Sequence, residues 1–318
     1  MKRRTALFVI ALALVLAVAS MFIWRTENAK PKEEIVTAAY VPAGFYAPIL
    51  IADRLGYFRD EGLTLKLVRY NDNSLMISQF INGNLDLTAQ SALTMFPIAE
   101  KYPDSFVYVY GQYAKSYFFV TTSSSPIKKI SDIRGAKVGT WQSPTAVAYI
   151  QLLASKVGVQ PAQYEVRRYG VTDVPSTLVN GTSDIIFTFD FPAQALVQTG
   201  KYRYVEPDAL HELLGHGVPL FNGGAMISRA LMKRDPAKAK AIQDALARSI
   251  GYIQGHPAEA KRILADILNV PLQSPGDVHL DTFVATDDEA KTAASSTYAL
   301  MVKSGLAQGG LDVTSLFQ

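Results

Sequence analysis

The feature that most constrains this 318-residue chain is one nine-residue pattern written twice, 98 residues apart. Gln79-Phe80-Ile81-Asn82-Gly83-Asn84-Leu85-Asp86-Leu87 corresponds to Thr177-Leu178-Val179-Asn180-Gly181-Thr182-Ser183-Asp184-Ile185. Each copy ends an apolar helical stretch, turns at Asn-Gly and enters a β-rich run, Leu85–Gln90 or Asp184–Phe189. Upstream, Ile35–Val41 and Ala136–Trp141 read as strands, each followed by a helix (Tyr46–Leu55; Thr145–Val157) that stops near Gly56 or Gly158. A second strand follows each helix, Leu63–Tyr70 or Tyr164–Tyr169. The order β-loop-α-β-α-β, met twice, predicts an α/β protein of two lobes, each a mainly parallel sheet flanked by helices.

Between the lobes lie two more β-rich runs, Phe106–Gln112 and Tyr117–Ser124. The second reads as the crossing into lobe two, and Phe221–Ser228 reads as the return, which together make a two-crossover hinge. The Ala-rich stretches Pro236–Leu268, broken at His256-Pro257, and Asp287–Ser304 read as helices folding back on lobe one. The expected organisation is lobe one over 35–122, lobe two over 123–222, and the return with C-terminal helices over 223–318.

The N-terminus is of a different kind. Lys2-Arg3-Arg4 precedes an uncharged, largely apolar run from Thr5 to Trp24, an n-region followed by an h-region. Ala17-Val18-Ala19 supplies a small-x-small cleavage site, while twenty residues also match the hydrocarbon thickness of a bilayer. Residues 1–24 are therefore read as a signal peptide or an N-terminal membrane anchor, and 25–34 as a linker. Either way the folded part is expected outside the cytoplasmic membrane, in the periplasm, with membrane contact only through this segment. The formal charge of +3 resides in this end. Residues 1–30 carry five basic side chains and one acidic, so the rest is near neutral and offers no footprint for nucleic acid. Cysteine is absent, which excludes disulfides, thiol catalysis and Cys-ligated metals.

Four segments in order resemble a known family: Pro48–Leu63 with its Gly56-Tyr57-Phe58-Arg59-Asp60-Glu61-Gly62-Leu63, then Asn82-Gly83-Asn84-Leu85-Asp86, Ile130–Gly139, and Asn180-Gly181-Thr182-Ser183-Asp184. The chain is similar to the periplasmic solute-binding proteins of ABC importers, in the nitrate/sulfonate/taurine group with its thiamine-precursor pyrimidine branch. The resemblance, over roughly Ile35–Pro271, implies a type II-like two-lobed binding protein. It would act as a monomer that closes on a small-molecule ligand and delivers it to an ABC permease with its ATPase. It implies no cofactor. The quoted motif residues themselves are expected to be structural, with Asp86 and Asp184 capping or turning at strand starts.

In open α/β sheets ligands sit beyond the carboxyl ends of strands, where helix N-termini present unpaired N–H groups. Four such loops occur in two matched pairs: Pro42–Tyr46, Gln90–Thr94, Trp141–Thr145 and Asp190–Pro192. They nominate Gly44, Phe45, Tyr46, Gln90, Ser91, Trp141, Ser143, Thr145, Asp190 and Phe191 as ligand-binding residues, joined by Asn222 at the start of the return crossing. Ser91 and Ser143 are equally natural helix N-caps. Phe45, Tyr46, Trp141 and Phe191 are either stacking surfaces or core. Asp190, the only formal charge in the four loops, either caps the following helix or meets a ligand nitrogen. A sulfonate, a pyrimidine-like heterocycle and an amine all remain open as ligands.

Enzyme readings find little support. His211 and His216 lack zinc-pair spacing, and no nucleophile elbow, P-loop or dinucleotide fingerprint occurs. Two enzyme groups share the resemblance. The fungal-type pyrimidine synthase relies on a cysteine-rich motif missing here, and a menaquinone-pathway lyase branch is cytoplasmic. A membrane-anchored sensory or partner-binding lobe pair is the non-enzymatic alternative.

Overall fold

Each copy of the repeat uses its aspartate to fasten a neighbouring strand. The computed structural model describes residues 34–210, 212, 219–270 and 280–317; residues 1–24, read above as a signal peptide or anchor, and most of the linker, with His211, His216 and His279, lie outside the described residues. Lobe one begins with β1 (Glu34–Tyr40), α1 (Ala47–Arg54), α2 (Tyr57–Asp60), β2 (Leu63–Arg69), α3 (Asn73–Ile81), β3 (Leu87–Ser91) and α4 (Ala92–Lys101). Two short strands follow, β4 (Phe106–Tyr108) and β5 (Gly111–Tyr113). Lobe two contains β6 (Tyr117–Thr122), β7 (Lys137–Trp141), α5 (Pro144–Lys156), β8 (Glu165–Tyr169), α6 (Val174–Val179), β9 (Ile185–Phe189), α7 (Asp190–Val197) and β10 (Tyr202–Val205). The chain then returns through β11 (Phe221–Ser228), α8 (Arg229–Arg234), α9 (Pro236–Gly255), α10 (Pro257–Leu268), β12 (Thr282–Val284) and α11 (Asp288–Lys303).

The two aspartates of the repeat do the same job. Asp86 donates its N–H to Thr37 O at 2.8 Å and accepts from Thr37 N at 3.0 Å, bracketing the start of β1. Asp184 does the same to Lys137 at the start of β7, at 2.9 and 2.8 Å. Lys238 of α9 adds an ion pair to Asp86 at 3.3 Å, so the C-terminal helices are tied to lobe one at this point. The Asn-Gly turns match as well: Gly83 and Gly181 hold φ of +77° and +73°, a left-handed conformation that a side chain disfavours.

One sheet runs β12-β5-β11-β3-β1-β2, with β4 also on β11, and the other runs β10-β6-β9-β7-β8. The repeat supplies the parallel part, β1 beside β3 and β7 beside both β8 and β9. Strands arriving from the opposite lobe lie antiparallel, β11 against β3 and β6 against β9, so both sheets are mixed rather than mainly parallel.

The same pairing corrects the expected crossings. Tyr117–Ser124 was expected as the link but its apolar Tyr117–Thr121 is buried as β6, in lobe two's own sheet. Phe221–Ser228 is likewise a central strand of lobe one's sheet. The first crossing therefore falls at residues 114–116 and the return comes before Phe221, and the first lobe boundary shifts from 122 to about 114. β3 and β9 are buried at every position, as expected for strands covered on both faces. α9 lies against α1 and α2, which seats the C-terminal helices on lobe one.

Gly223 combines a positive φ with close packing against main chain. Its φ is +119°, and a Cβ there would run into Gln90 O and stand 2.7 Å from Ala92 N, both rigid main chain. Gly223→Ala is expected to cost at least about 3 kcal/mol, against about 1–2 kcal/mol for Gly181→Ala, where a Cβ meets open space. Urea unfolding of the two variants measures the difference.

Candidate functional site

The carboxyl ends of the parallel strands in the two lobes face each other across a cleft. It is lined by Val41, Ala43, Phe45, Tyr46, Asn73, Ala89, Gln90, Ser91, Tyr117, Trp141, Ser143, Thr145, Val171 and Phe189. The space between these walls is narrow, a cavity of about 30 Å³. Of the residues nominated from sequence, Phe45, Tyr46, Gln90, Ser91, Trp141, Ser143 and Thr145 line it. Gly44, Asp190, Phe191 and Asn222 do not; Gly44, Asp190 and Asn222 make contacts between the lobes behind the wall, and Phe191 is buried in the core.

Two serines bring helix N-termini to the cleft from opposite sides. Ser91 Oγ caps α4 by accepting from Leu93 N at 3.3 Å, and Ser143 Oγ caps α5 by accepting from Thr145 N at 3.2 Å. Pro144 fits the first turn of α5, where its missing N–H is no loss. Beside them, Asn73 and Gln90 exchange two amide hydrogen bonds, at 3.2 and 3.1 Å. Gln90 also donates to Tyr46 OH at 3.3 Å, and burial raises that phenol's pKa, so it stays protonated. The opposite wall is aromatic. Trp141 stacks on Tyr117 (5.7 Å, 12°) and on Phe187 (5.7 Å, 14°), and lies 4.2 Å from Phe189.

The lobes touch directly around this cleft. Asn73 Nδ2 donates to Ser143 Oγ at 3.4 Å, Thr94 and Thr145 share a hydroxyl–hydroxyl bond, and Gly44 N lies 3.5 Å from Asp190 Oδ1. Behind the cleft, Asn222 accepts from Tyr149 OH at 2.7 Å and donates to Tyr117 OH at 3.3 Å. It also donates to Asp281 Oδ2 at 2.6 Å. The other oxygen of Asp281 accepts from Lys115 N at 2.7 Å and Ser116 Oγ at 2.6 Å, both on the first crossing. One buried carboxylate thus ties the first crossing to the start of β11. Burial raises its pKa, opposed by these three donors.

Asp190 fits neither role foreseen for it. It is the first residue of α7 rather than the residue before it, and its Oδ1 accepts from the adjoining Phe191 N at 2.7 Å, so it does not cap the helix from the N-cap position. It is 1% exposed and turned toward Gly44, outside the lining. Phe191 is core.

Sequence reasoning missed Asn73, Tyr117, Phe189 and Asp281. Asn73 was legible, because the rule of strand carboxyl ends covers β2 as well as β1 and β3, and Asp72 caps the helix that starts there. Asp281 lies far along the chain in a short irregular segment, and no local signal marks it.

The NMT1/THI5-like family profile matches residues 45–260, most of the chain and both walls of the cleft. The chain belongs to the NMT1/THI5-like family. A curated relative is the 4-amino-5-hydroxymethyl-2-methylpyrimidine phosphate synthase of Schizosaccharomyces pombe, 24% identical over 143 residues. That match covers 44% of this chain and 40% of the relative, so the chain spans well under half of that enzyme. Among solved structures, the alkanesulfonate-binding protein SsuA of Xanthomonas axonopodis pv. citri bound to MOPS superimposes with a TM-score of 0.72 at 14% identity, covering 89% of this chain and 98% of that one. The periplasmic aliphatic sulphonate binding protein SsuA of Escherichia coli gives 0.67 at 15% identity, covering 89% and 96%. The fold of this NMT1/THI5-like protein is therefore that of periplasmic binding proteins.

Asn222→Ala removes the partner of a buried carboxylate oxygen and of the Tyr149 hydroxyl. We expect a stability loss of about 2–4 kcal/mol by chemical denaturation, well beyond an exposed Asn→Ala change.

Proposed function

We propose that this protein is the extracytoplasmic solute-binding component of an ABC importer, and that it clamps a small, flat, largely uncharged polar molecule between its lobes. The observation that carries this reading is the cleft's lining. An aromatic wall around Trp141 and Tyr117 faces the paired amides of Asn73 and Gln90, with the Ser91 and Ser143 hydroxyls between. Among the described lining residues none is charged. An aromatic face and an amide edge suit a heterocycle of the pyrimidine kind, whose ring stacks while its nitrogens exchange hydrogen bonds with the amides. The closed solute–protein complex would be handed to a permease with its ATPase. The protein would act as a monomer in the periplasm, free or held by residues 5–24.

An alkanesulfonate is the second reading. Two helix N-termini from opposite lobes meet at the cleft, and such termini hold anions without a cationic side chain. The solved sulfonate-binding proteins support it. Catalysis is the weaker reading: the lining offers amides and hydroxyls but no carboxylate, imidazole or amine, the usual general acids and bases. The likeness to a pyrimidine synthase then reflects a shared scaffold and a related ligand shape.

Trp141 makes the test direct. The chain has only two tryptophans, so in the full-length Trp24→Phe protein Trp141, which lines the cleft, is the sole tryptophan and is read alone by excitation selective for indole. A panel of neutral pyrimidines, alkanesulfonates and small amines is titrated against its emission and against thermal stability. We expect a neutral pyrimidine to perturb Trp141, and at 100 times its Kd to stabilise the protein by about 2.7 kcal/mol. Tighter binding of an alkanesulfonate would select the second reading. No response to any member would contradict both.

A further inference from the structure

We propose that closing the two lobes places a proton on Asp190, so that the closed clamp is the protonated form and acid favours closure. This rests on the clamp reading above and adds its regulation. Asp190 belongs to lobe two, but its carboxyl is covered by lobe one. Oδ1 lies 3.5 Å from Gly44 N, and a Cβ at Gly44 would collide with Oδ2 and come within 2.6 Å of the Leu280 side chain. Only a glycine lets the turn at 44–46 settle over this carboxyl. The result is a carboxyl 1% exposed whose Oδ2 has no hydrogen-bond partner among the described residues.

An ionised carboxylate would leave that oxygen buried and unpaired, whereas a protonated one removes the charge. The surroundings offer no countercharge among the described residues. β9 and the remainder of α7 hold no charged side chain, and the turn at 44–46 contributes only the buried phenol of Tyr46. The titratable group that faces Asp190 from the segment before β12 is Asp281, another acid, whose field opposes ionisation. His279, two residues before Asp281, lies outside the described residues. Burial pushes the Asp190 carboxyl up to about 8, with Asp281 adding to the shift and the Phe191 and Gly44 N–H groups opposing it. In the open form Gly44 and Leu280 withdraw, water reaches the carboxyl, and it returns to the ordinary carboxylate range.

The sign follows from which form holds the proton. Because the closed form has the raised value, closure takes up a proton at any pH between the two values. The closed-to-open ratio is full at the acid end. It falls about tenfold per pH unit as pH rises toward 8, then levels off. An importer component working outside the cytoplasmic membrane would thus hold its solute more tightly where the medium is acidic.

The test needs no solute. The chain has no cysteine, so Leu75→Cys in α3 and Val179→Cys in α6, both exposed and on different lobes, accept a pair of spin labels in the full-length protein. Inter-label distances are recorded from pH 5.5 to 8.5 in this protein, and with Asp190→Asn, Asp281→Asn or His279→Gln added, each first confirmed folded by circular dichroism. We expect the short-distance population to fall with pH at about tenfold per unit, and to become pH-independent and predominantly short in Asp190→Asn. Lobes that move with no pH dependence would overturn the proposal, as would the same slope in Asp190→Asn. So would a slope lost in Asp281→Asn or His279→Gln but kept in Asp190→Asn. A single spacing at every pH in every variant would instead defeat the clamp reading, and this proposal with it.

Discussion

The two-lobed arrangement depends on one buried carboxylate. Asp281 takes a main-chain N–H and a hydroxyl from the first crossing and the Asn222 amide from the start of β11, so the first crossing is tied to the strand that the returning chain enters. A buried acid is expensive to leave without donors, and here two of them come from the first crossing and one from β11. Asn222 carries the restraint onward to Tyr117 and Tyr149 behind the cleft, and Tyr117 itself lines the cleft. The hinge and the solute wall are consequently parts of one hydrogen-bonded network, which gives a physical route by which occupancy of the cleft biases the hinge.

The site combines a polar edge from lobe one with an aromatic face from lobe two. The amides of Asn73 and Gln90 are pre-paired, and the Trp141–Tyr117–Phe187 stack fixes ring orientations before any solute arrives. Preorganisation of this kind favours affinity by reducing what must be ordered on binding. Direct contacts of Asn73 with Ser143 and of Thr94 with Thr145 bring the walls together, so under the proposed function the narrowness of the gap would favour a flat molecule as much as its chemistry does.

Much of this was legible in the sequence because the repeat encodes local structure. The Asn-Gly turns, the strand-fastening Asp86 and Asp184, and the serine caps at Ser91 and Ser143 each depend on neighbours within a lobe. What was not legible depends on contacts between distant segments. Tyr117–Thr121 looked like a link because an apolar β-rich run between lobes carries no mark of which sheet it joins. Asp190 looked like a cap or a ligand contact because its strand-end position allows both, and only the approach of Gly44 and Leu280 from the other lobe shows it enclosed. Asp281 had no motif at all; its role exists only once three segments, separated by more than fifty residues each, converge.

The central claim is that solute drives the two lobes together about this hinge. Small-angle X-ray scattering of the full-length protein, with and without a saturating concentration of the solute that most perturbs Trp141, measures it directly. A smaller radius of gyration with solute is the expected result. An unchanged radius at saturation would contradict the account and leave a rigid two-sheet scaffold in place of a clamp.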